Sequence, residues 1–508
     1  MSNNISSAAW SPANISNISL SQIKSLSQNE VKSMSAQQLG ALSSDQVKAL
    51  STKDVVVLTG DQLHSIDVYS FTKDQIRSLS NAQVKSLADN DDQQYSGSVG
   101  TGKELHVLSN DELGALSASQ IKGVDLSILS GDQIAALSPS AITGIASAQL
   151  KQLNSEQVGS ITAKQAANLN AVQLAALTDS TGSSDITGSN TTSSLSLDAL
   201  SAIGSKNIQG LHIENLSVDQ VGALSATQVS ALSTTQLSHL TTEHLGQMDA
   251  SQLTKLTANQ LSKIGTAVVS GSAVGSLNDL SVDAFASLSS RQLTGLNTQA
   301  LVHNLDADHV SAVITKLSTL HIGALDSTQL GNLSAVDLSS MSAQQLHAID
   351  SSNIANLDAD ALGATTTVVQ QLTTAQIGSL DTNQAGKISL ESMAKLSAAQ
   401  IKAFSVNATS SLSSDQIGAI GTASTSSGKA PITGLKVALV NDYAAFTDDQ
   451  IAKLSTTQIG LLDSSKVNDL SVGGLEKWSK SQANALSSTA YLALDSSHKS
   501  IIDMITAS

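Results

Sequence analysis

The sequence predicts an all-α protein, a solenoid of short capped helices built from an eight-residue repeat. Two series of apolar residues predict it, each recurring every eight residues. The first series begins Ile23, Val31, Leu39, Val47, Val55 and Leu63, and the second, three residues later, begins Leu26, Met34, Leu42, Leu50, Leu58 and Ile66. A small polar residue follows each member of the second series, and Gln, Glu or Asp precedes each member of the first. The unit is therefore [S/T/D]-x-x-[Q/E]-Φ-x-[small]-Φ, where Φ is apolar, and it covers nearly the whole chain.

The polar positions predict that a helix begins in every repeat. Ser or Thr followed three residues later by Gln or Glu is a capping box, in which each side chain accepts a backbone N–H of the other residue. The pairs that keep this spacing include Ser27 with Glu30, Ser35 with Gln38, Ser43 with Gln46 and Thr257 with Gln260.

A continuous helix does not fit an eight-residue repeat, because the apolar pair would rotate by about 80° from one repeat to the next. A period-two strand does not fit it either. Each repeat therefore predicts about two turns of helix and a restart at the next cap, with both Φ residues on one face. One such helix is too short to be stable alone, so the repeats are expected to stack, as in other solenoids.

A few repeats are shortened to five residues by the loss of x-x-Q. They are Asp67-Val68-Tyr69-Ser70-Phe71, Asp125-Leu126-Ser127-Ile128-Leu129 and His212-Ile213-Glu214-Asn215-Leu216. These short forms resemble the A-[D/N]-L-x-x repeat of the pentapeptide-repeat family. That resemblance implies a β-solenoid, which is the alternative fold.

Polar stretches that lose the period predict the domain organisation. A leader at 1–20 precedes blocks of repeats at 21–88, 105–178, 195–264, 279–362, 370–420 and 435–508. Predicted loops separate the blocks at 89–104, 179–194, 265–278, 363–369 and 421–434. The last block carries Trp478 and ends in an apolar and polar tail, Ile501-Ile502-Asp503-Met504-Ile505, which is expected to cap the array.

The composition argues against an enzyme. The 508 residues include no Cys, which excludes disulfides and thiolate chemistry, and only 2% are aromatic, which leaves little bulk for a ligand pocket. A net charge of −16 makes nucleic acid a poor partner. Residues 1–20 do not have the pattern of a signal peptide, and the sequence has no apolar run of the roughly 18 residues that a membrane span needs.

No catalytic, cofactor-binding or metal site is predicted. The pairs His239 with His244 and His303 with His309 lack a third ligand at a fixed spacing, so they are interpreted as solvated variable positions. The recurrent Gln is explained by its capping role.

Two polar runs in the first predicted loop are also interpreted as solvated loop. The acidic run Asp89, Asp91, Asp92 to Glu104 departs from the EF-hand pattern at Gln94. The run Gly97, Gly100, Gly102 and Lys103 does not have the spacing of a phosphate-binding loop.

Two phrases resemble the opening of a transcription-activator-like effector repeat, L-T-x-x-Q-V-x-A-I. They are Leu50-Ser51-Thr52-Lys53-Asp54-Val55 and Leu372-Thr373-Thr374-Ala375-Gln376-Ile377-Gly378-Ser379-Leu380. The resemblance implies helix for this phrase. It does not extend to DNA binding, because the period is eight and the base-reading residues are missing.

Along its whole length the chain is similar to repetitive, acidic, Cys-free bacterial surface and matrix proteins, such as type I secreted adhesins and surface-layer proteins. The resemblance implies a structural or adhesive protein outside the cell or on its surface, exported without a cleaved signal peptide. Its partners would be further copies of itself, or surface polymers and proteins. The alternative is a protein-binding solenoid scaffold, or a host-delivered effector, that acts inside a cell.

Changing both Leu42 and Leu50 to Asp is expected to open the first block of repeats, because neighbouring repeats stabilise one another. Hydrogen exchange should lose protection locally while distant blocks stay protected. A uniform loss along the chain would contradict the quasi-one-dimensional solenoid.

Overall fold

A computed structural model describes residues 11–88, 108–179, 194–264, 276–296, 305–423 and 431–507 of the protein. Short α-helices and 3₁₀ helices follow one another throughout these ranges, which contain no β-strand. The predicted all-α solenoid of short helices is confirmed, and the β-solenoid alternative is wrong.

The chain forms two compact units, 1–281 and 282–508. The α-helices described in the first unit are Leu20–Lys24, Gln28–Ser33, Ala36–Gly40, Ser44–Ala49, Thr52–Val56, Gly60–His64, Lys73–Ser78, Asn81–Ala88, Asn110–Leu113, Ala118–Ile121, Gly131–Ala136, Ser147–Leu150, Ser155–Gly159, Ala163–Ala166, Ala171–Thr178, Leu197–Ala202, Val218–Gly222, Ala226–Ser230, Thr234–Ser238, Thr242–Gly246, Ala250–Leu253 and Ala258–Leu261. Its 3₁₀ helices are Ile15–Asn17, Val68–Ser70, Ala141–Gly144, Ile208–Gly210, Ile213–Asn215 and Leu277–Asp279.

The second unit has the same kind of elements. Its described α-helices are Val282–Ala286, Ser290–Thr294, Ala307–Val313, Thr319–Gly323, Ser327–Gly331, Ala335–Ser340, Ala343–Ala348, Ala359–Gly363, Val368–Gln371, Thr374–Gly378, Thr382–Lys387, Leu390–Lys395, Ala398–Ala403, Val406–Ser410, Ser414–Ala419, Asp448–Ala452, Thr456–Ile459, Val472–Leu475, Lys480–Ala483, Ser488–Ala493 and Ser496–Ala507. Its 3₁₀ helices are Ile314–Lys316, Ser351–Asn356, Pro431–Gly434, Val437–Leu439, Tyr443–Ala445 and Val467–Asp469.

The predicted capping boxes start most of these helices. At Ser44–Ala49 the Ser43 hydroxyl accepts the N–H of Gln46 at 3.4 Å, and the N–H of Ser43 donates to the Gln46 Oε1 at 2.8 Å. The helix ends at Ala49, and the extended backbone of Leu50 (φ −60°, ψ 139°) leads directly to Ser51, the cap of the next helix. The second apolar residue of the repeat therefore serves as the turn between helices.

The helices are shorter than the predicted two turns. The described α-helices run from four to eight residues, apart from the twelve-residue Ser496–Ala507. At 3.6 residues per turn most of them complete little more than one turn. The reason is that the cap residue and the second Φ residue are both extended, as at Ser43 and Leu50, so that at most six of the eight residues of the repeat are helical.

The two apolar series form the core. Both members of a repeat are buried, as Val47 and Leu50 illustrate. Successive helices turn about this core so that each packs against the helix three repeats further along. Helix Leu20–Lys24 contacts Ser44–Ala49, Gln28–Ser33 contacts Thr52–Val56, and Ala36–Gly40 contacts Gly60–His64. We call a coil the three consecutive repeats that bring the chain from one helix to the helix stacked on it.

The five-residue repeats occupy the place of a helix in the coil. Two of them contain the 3₁₀ helices Val68–Ser70 and Ile213–Asn215, and the third is a turn in which the Leu129 N–H donates to the Leu126 carbonyl at 3.1 Å. The loss of x-x-Q removes the first helical turn and leaves room only for an i to i+3 bond. These repeats are therefore tight helical turns and not β-strands.

Helical elements also lie in four stretches predicted to lack repeats. Ile15–Asn17 and the start of Leu20–Lys24 lie in the predicted leader, and Pro431–Gly434 lies in the loop predicted at 421–434. The loop predicted at 363–369 holds the end of Ala359–Gly363 and the start of Val368–Gln371. In the loop predicted at 265–278, the 3₁₀ helix Leu277–Asp279 begins. Most of the loops predicted at 89–104, 179–194 and 265–278 lies outside the described residues.

Small residues before the second Φ allow coils to approach closely. A Cβ added to Gly144 or Gly210 would overlap the backbone of Ala118 or Ala171 in the neighbouring coil. In contrast, a Cβ on Gly386, inside Thr382–Lys387, would meet no atom within 4 Å.

Gly144→Ala should therefore destabilise its coils by about 1–3 kcal/mol, since the overlapping atoms are backbone. The matched variant Gly386→Ala should be neutral or stabilise its helix by up to about 1 kcal/mol, because Ala loses less backbone entropy than Gly on folding. Hydrogen exchange around each site measures both effects. Equal effects of the two variants would contradict the close approach at Gly144.

Candidate functional site

The recurrent Gln, at the third position of the helix, makes the most distinctive polar contact of this fold. The Gln165 side chain is completely buried. Its Oε1 accepts the N–H of the cap residue Thr162 at 2.8 Å, as the capping box predicts. Its Nε2 donates to two backbone carbonyls of another coil, Ile134 at 2.7 Å and Leu137 at 2.8 Å. We call this pair of donated hydrogen bonds a glutamine bridge.

Glutamine bridges follow a register that counts repeats rather than residues. The two acceptors belong to the repeat that lies four repeats earlier. One is its second Φ residue, and the other is in most bridges its first Φ residue and in some the residue after it, as for Gln62, which donates to Lys32 and Met34. For Gln165 the two acceptors lie 31 and 28 residues back. For Gln75 the five-residue repeat 67–71 intervenes, and the acceptors Val47 and Leu50 lie 28 and 25 residues back. The register is therefore maintained when a repeat is shortened.

The same bridge recurs in both units. Further examples join Gln46 to Ile15 and Ile18, Gln157 to Leu126 and Leu129, Gln228 to Leu200 and Ile203, Gln345 to Ile314 and Leu317, Gln416 to Ala385 and Ile388, and Gln458 to Ile432 and Leu435. The sequence predicts the capping half of this role. It does not reveal the bridging half, because the acceptors are backbone atoms whose positions depend on the path of the coil.

The bridge supplies donors to carbonyls at the end of a short helix, where few backbone partners remain. In the Gln165 bridge the Ile134 carbonyl also accepts the N–H of Leu137, at 3.2 Å. The last carbonyls of a helix have no partner within it, and a buried polar group without a partner costs about 1–3 kcal/mol. One Gln side chain thus pairs an N–H at the start of its own helix and two carbonyls at the end of another.

Other donors reach the corresponding carbonyls in some repeats. The Lys466 Nζ, at the glutamine position, donates to Val440 O at 2.8 Å, and the Lys316 Nζ donates to Leu288 O at 3.0 Å. The Trp478 Nε1 donates to the carbonyl of Ile451 at 2.9 Å. Trp478, in the last block of repeats, is thus buried and also links two coils.

Histidine stands at the glutamine position in four described repeats, as His244, His309, His321 and His498. All four are buried, so the interpretation of His244 and His309 as solvated variable positions is wrong. Each comes three residues after a cap, and this spacing is the sequence signal that would have identified the position. His239 is partly exposed, and His303 lies outside the described residues.

The partners of each ring differ. The N–H of Thr241 donates to Nδ1 of His244 at 3.3 Å, and Nε2 lies 3.1 Å from the Leu216 carbonyl. Burial lowers the pKa of the His244 imidazole below its ordinary value, and the Leu216 carbonyl and the Glu243 carboxylate offset only part of that effect.

The pKa of His498 is shifted in the opposite direction to that of His244. Its Nδ1 lies 2.8 Å from the Asp495 carboxylate and its Nε2 lies 2.8 Å from the Leu470 carbonyl. Burial opposes the charged ring, but the hydrogen bonds to the Leu470 carbonyl and to Asp495 outweigh it and raise the pKa of His498.

A shallow polar groove in the first unit is lined by Lys73, Arg77, Asp111 and Asp132. Lys73 and Asp111 form an ion pair of 2.9 Å across it, with both side chains largely exposed. An exposed pair of this kind contributes little to stability, and the groove gives this surface charges of both signs.

Among the described residues, no group of three or more His, Asp or Glu side chains is placed to hold a metal ion. The acidic run from Asp89 to Glu104 and the glycine run from Gly97 to Lys103 lie outside those residues and stay predictions. No described helix combines the length and apolar character needed to cross a bilayer. No protein-family model matches the chain, and no curated protein matches it.

Two variants at Gln165 separate capping from bridging. Gln165→Glu keeps an acceptor for Thr162 but places a carboxylate against two carbonyl oxygens, and Gln165→Met removes both interactions. Each is expected to destabilise the local coils by about 2–4 kcal/mol, because buried groups lose their partners. Hydrogen exchange across repeats 131–169 measures the loss.

Gln152→Met is the matched control, since Gln152 is exposed and outside the capping position. It should leave protection unchanged. If Gln165→Glu were as stable as the parent, the capping interaction alone would account for the Gln, and the bridge would contribute nothing.

Proposed function

We propose that the chain is a non-enzymatic structural or adhesive repeat protein, secreted or displayed on a bacterial surface, that acts through self-assembly or multivalent contacts. The proposal rests on one observation: the recurrent polar side chains form hydrogen bonds inside the fold, between its coils. The Gln residues, and the His residues that replace them, hold one coil against another, and their hydrogen bonding is committed there.

The exposed positions of the repeat favour association through many weak contacts. Most repeats present the cap and the first two helical residues to solvent, and these are mostly Ser, Thr, Ala and Asp. Some are large aliphatic residues, among them Leu320, Val336 and Leu492, which are more than 70% exposed. Contacts that recur along a chain add through avidity even when each is weak.

The location outside the cell is supported by the resemblance in composition to secreted surface and matrix proteins. A net charge of −16 keeps such a chain soluble until it associates. Copies of the chain, or surface polymers and proteins, would be the partners.

A second candidate function is a scaffold that holds a protein partner inside a cell, including a host cell to which the chain is delivered. The groove lined by Lys73, Arg77, Asp111 and Asp132 favours it, because charges of both signs suit the selective recognition of one protein surface.

Protease treatment of intact producing cells, followed by blotting of cells and medium, tests the proposal. The chain is expected in the medium or cleaved at the surface, while a cytoplasmic marker protein stays intact. The purified chain should then form filaments or sheets as its concentration rises, seen by electron microscopy. A chain fully protected inside cells, and monomeric at every concentration, would contradict the proposal and favour the scaffold.

A double variant, Leu320→Ser with Val336→Ser, should raise the concentration needed for assembly severalfold without unfolding the chain, because both side chains are exposed. Ser339→Ala is the matched control on an exposed neighbouring position. Sedimentation velocity measures the assembly, and circular dichroism verifies the fold. Unchanged assembly in the double variant would exclude these aliphatic residues from the contact.

A further inference from the structure

The partners of His244 determine which of its nitrogens carries the proton. A backbone N–H can only donate a hydrogen bond, so the N–H of Thr241 requires an unprotonated Nδ1. The single proton of the neutral ring is then on Nε2, where it is donated to the Leu216 carbonyl at 3.1 Å. In this tautomer His244 takes both roles of the common Gln: it accepts from the cap residue, and it donates one hydrogen bond to the coil four repeats earlier.

A protonated ring cannot make the same contacts. The imidazolium carries an N–H on both nitrogens, so two donors would face each other between Nδ1 and the N–H of Thr241. The capping interaction would be lost, and a charge would be buried next to the Leu216 turn. Protonation therefore acts against this capping box directly and not only through the cost of burying charge.

The other histidines at this position have partners that can accept a hydrogen bond from a protonated Nδ1. Nδ1 of His321 lies 2.8 Å from the Ser318 hydroxyl, which can donate or accept. His309 and His498 place Nδ1 against the carboxylates of Asp306 and Asp495, which accept from it. Within the described ranges, His244 is thus the histidine whose capping partner is incompatible with protonation.

The charged groups around His244 are acidic. The helix of His244 packs against Val218–Gly222 and Leu277–Asp279, and Ile213–Asn215 lies next to the acceptor Leu216. The Thr242 hydroxyl donates to the Asp279 carboxylate at 3.4 Å. The titratable side chains on these elements and their flanks are Glu243, Asp219, Asp279, Glu214 and His212. The carboxylates favour a charged ring, but Glu243 is exposed and its effect is weakened by solvent.

We propose that His244 makes the repeats from Ile213 to Leu253 an acid-sensitive segment of the solenoid, in which a neutral imidazole holds two coils together and a protonated imidazole releases them. The response arises from hydrogen bonds within the chain, so it does not depend on the proposed function or on the location of the protein. It needs no ligand other than the proton.

The direction of the response follows from the protonation of the two states. An unfolded His takes up its proton near pH 6.5, whereas burial keeps the folded His244 neutral to lower pH. Its contribution to stability is therefore present above the ordinary pKa and is lost as the pH falls through the folded pKa. His498 has a raised pKa in the fold, so its contribution is present at low pH and is lost as the pH rises through that pKa.

Hydrogen exchange on the full chain at pH 7.5 and pH 5.0, corrected for intrinsic exchange rates, tests the proposal. In the parent chain, acid should lower the protection of segment 213–253 at least tenfold relative to distant repeats. His244→Gln restores the common residue of the repeat and should abolish this change. The matched variant His498→Gln should leave the acid response of segment 213–253 intact.

Equal protection of segment 213–253 at the two pH values would overturn the proposal, as would an acid response that persists in His244→Gln. Should His244→Gln fail to fold, nitrogen NMR of labelled histidine in the parent chain decides the question. The expected spectrum has one buried ring that keeps its proton on Nε2 at pH 6. A His244 ring that becomes charged while the segment stays protected would refute the mechanism.

Discussion

The structure depends on the hydrogen bonds that one glutamine amide donates to two backbone carbonyls four repeats earlier. A helix of four to six residues leaves a large share of its own N–H and C=O groups unpaired, because the first N–H groups and the last C=O groups of any helix have no partner inside it. Water cannot reach those that face the core. The capping box supplies acceptors at the start of the helix, and the glutamine bridge supplies donors at the end of another, as at Gln165. Hydrogen-bond satisfaction, together with two buried aliphatic residues per repeat, thus accounts for a fold whose helices have little stability of their own.

Because each bridge joins only neighbouring coils, stability is distributed along the chain as a sum of local terms, as in other solenoids. The register counts repeats, so a five-residue repeat such as 67–71 is accommodated without displacing the repeats that follow. Different donors meet the same requirement, and the ammonium of Lys466 and the indole of Trp478 both reach a carbonyl of another coil. The chemistry of the donor then determines the conditions under which a given coil keeps its hydrogen bonds. Where the donor is histidine, those hydrogen bonds depend on pH.

The helical class and the helix starts were predictable from sequence, since capping boxes such as Ser43 with Gln46 depend on residues three apart. The bridging role of the Gln was not, because its acceptors lie about 30 residues away. Helix length was overestimated because the extended backbone of Leu50 and its equivalents is set by the turn that the next cap requires. The burial of His244 was not predicted, because the residue was considered only as a possible metal ligand. Its position three residues after Thr241 was not taken into account. The five-residue repeats left helix and strand open, since Φ-x-x-Φ alone fits a tight turn of either fold.

Distances between spin labels measure the register of the coils most directly, and the absence of Cys allows them to be placed singly. Asp360 and Lys387 lie on stacked helices, where their side chains form an ion pair of 2.6 Å. Labels on Asp360→Cys and Lys387→Cys should give a short and narrow distance distribution, and moving the second label to Lys395→Cys should lengthen it. A broad distribution near the roughly 29 Å expected of a flexible chain of that length would contradict a solenoid held in register by glutamine bridges.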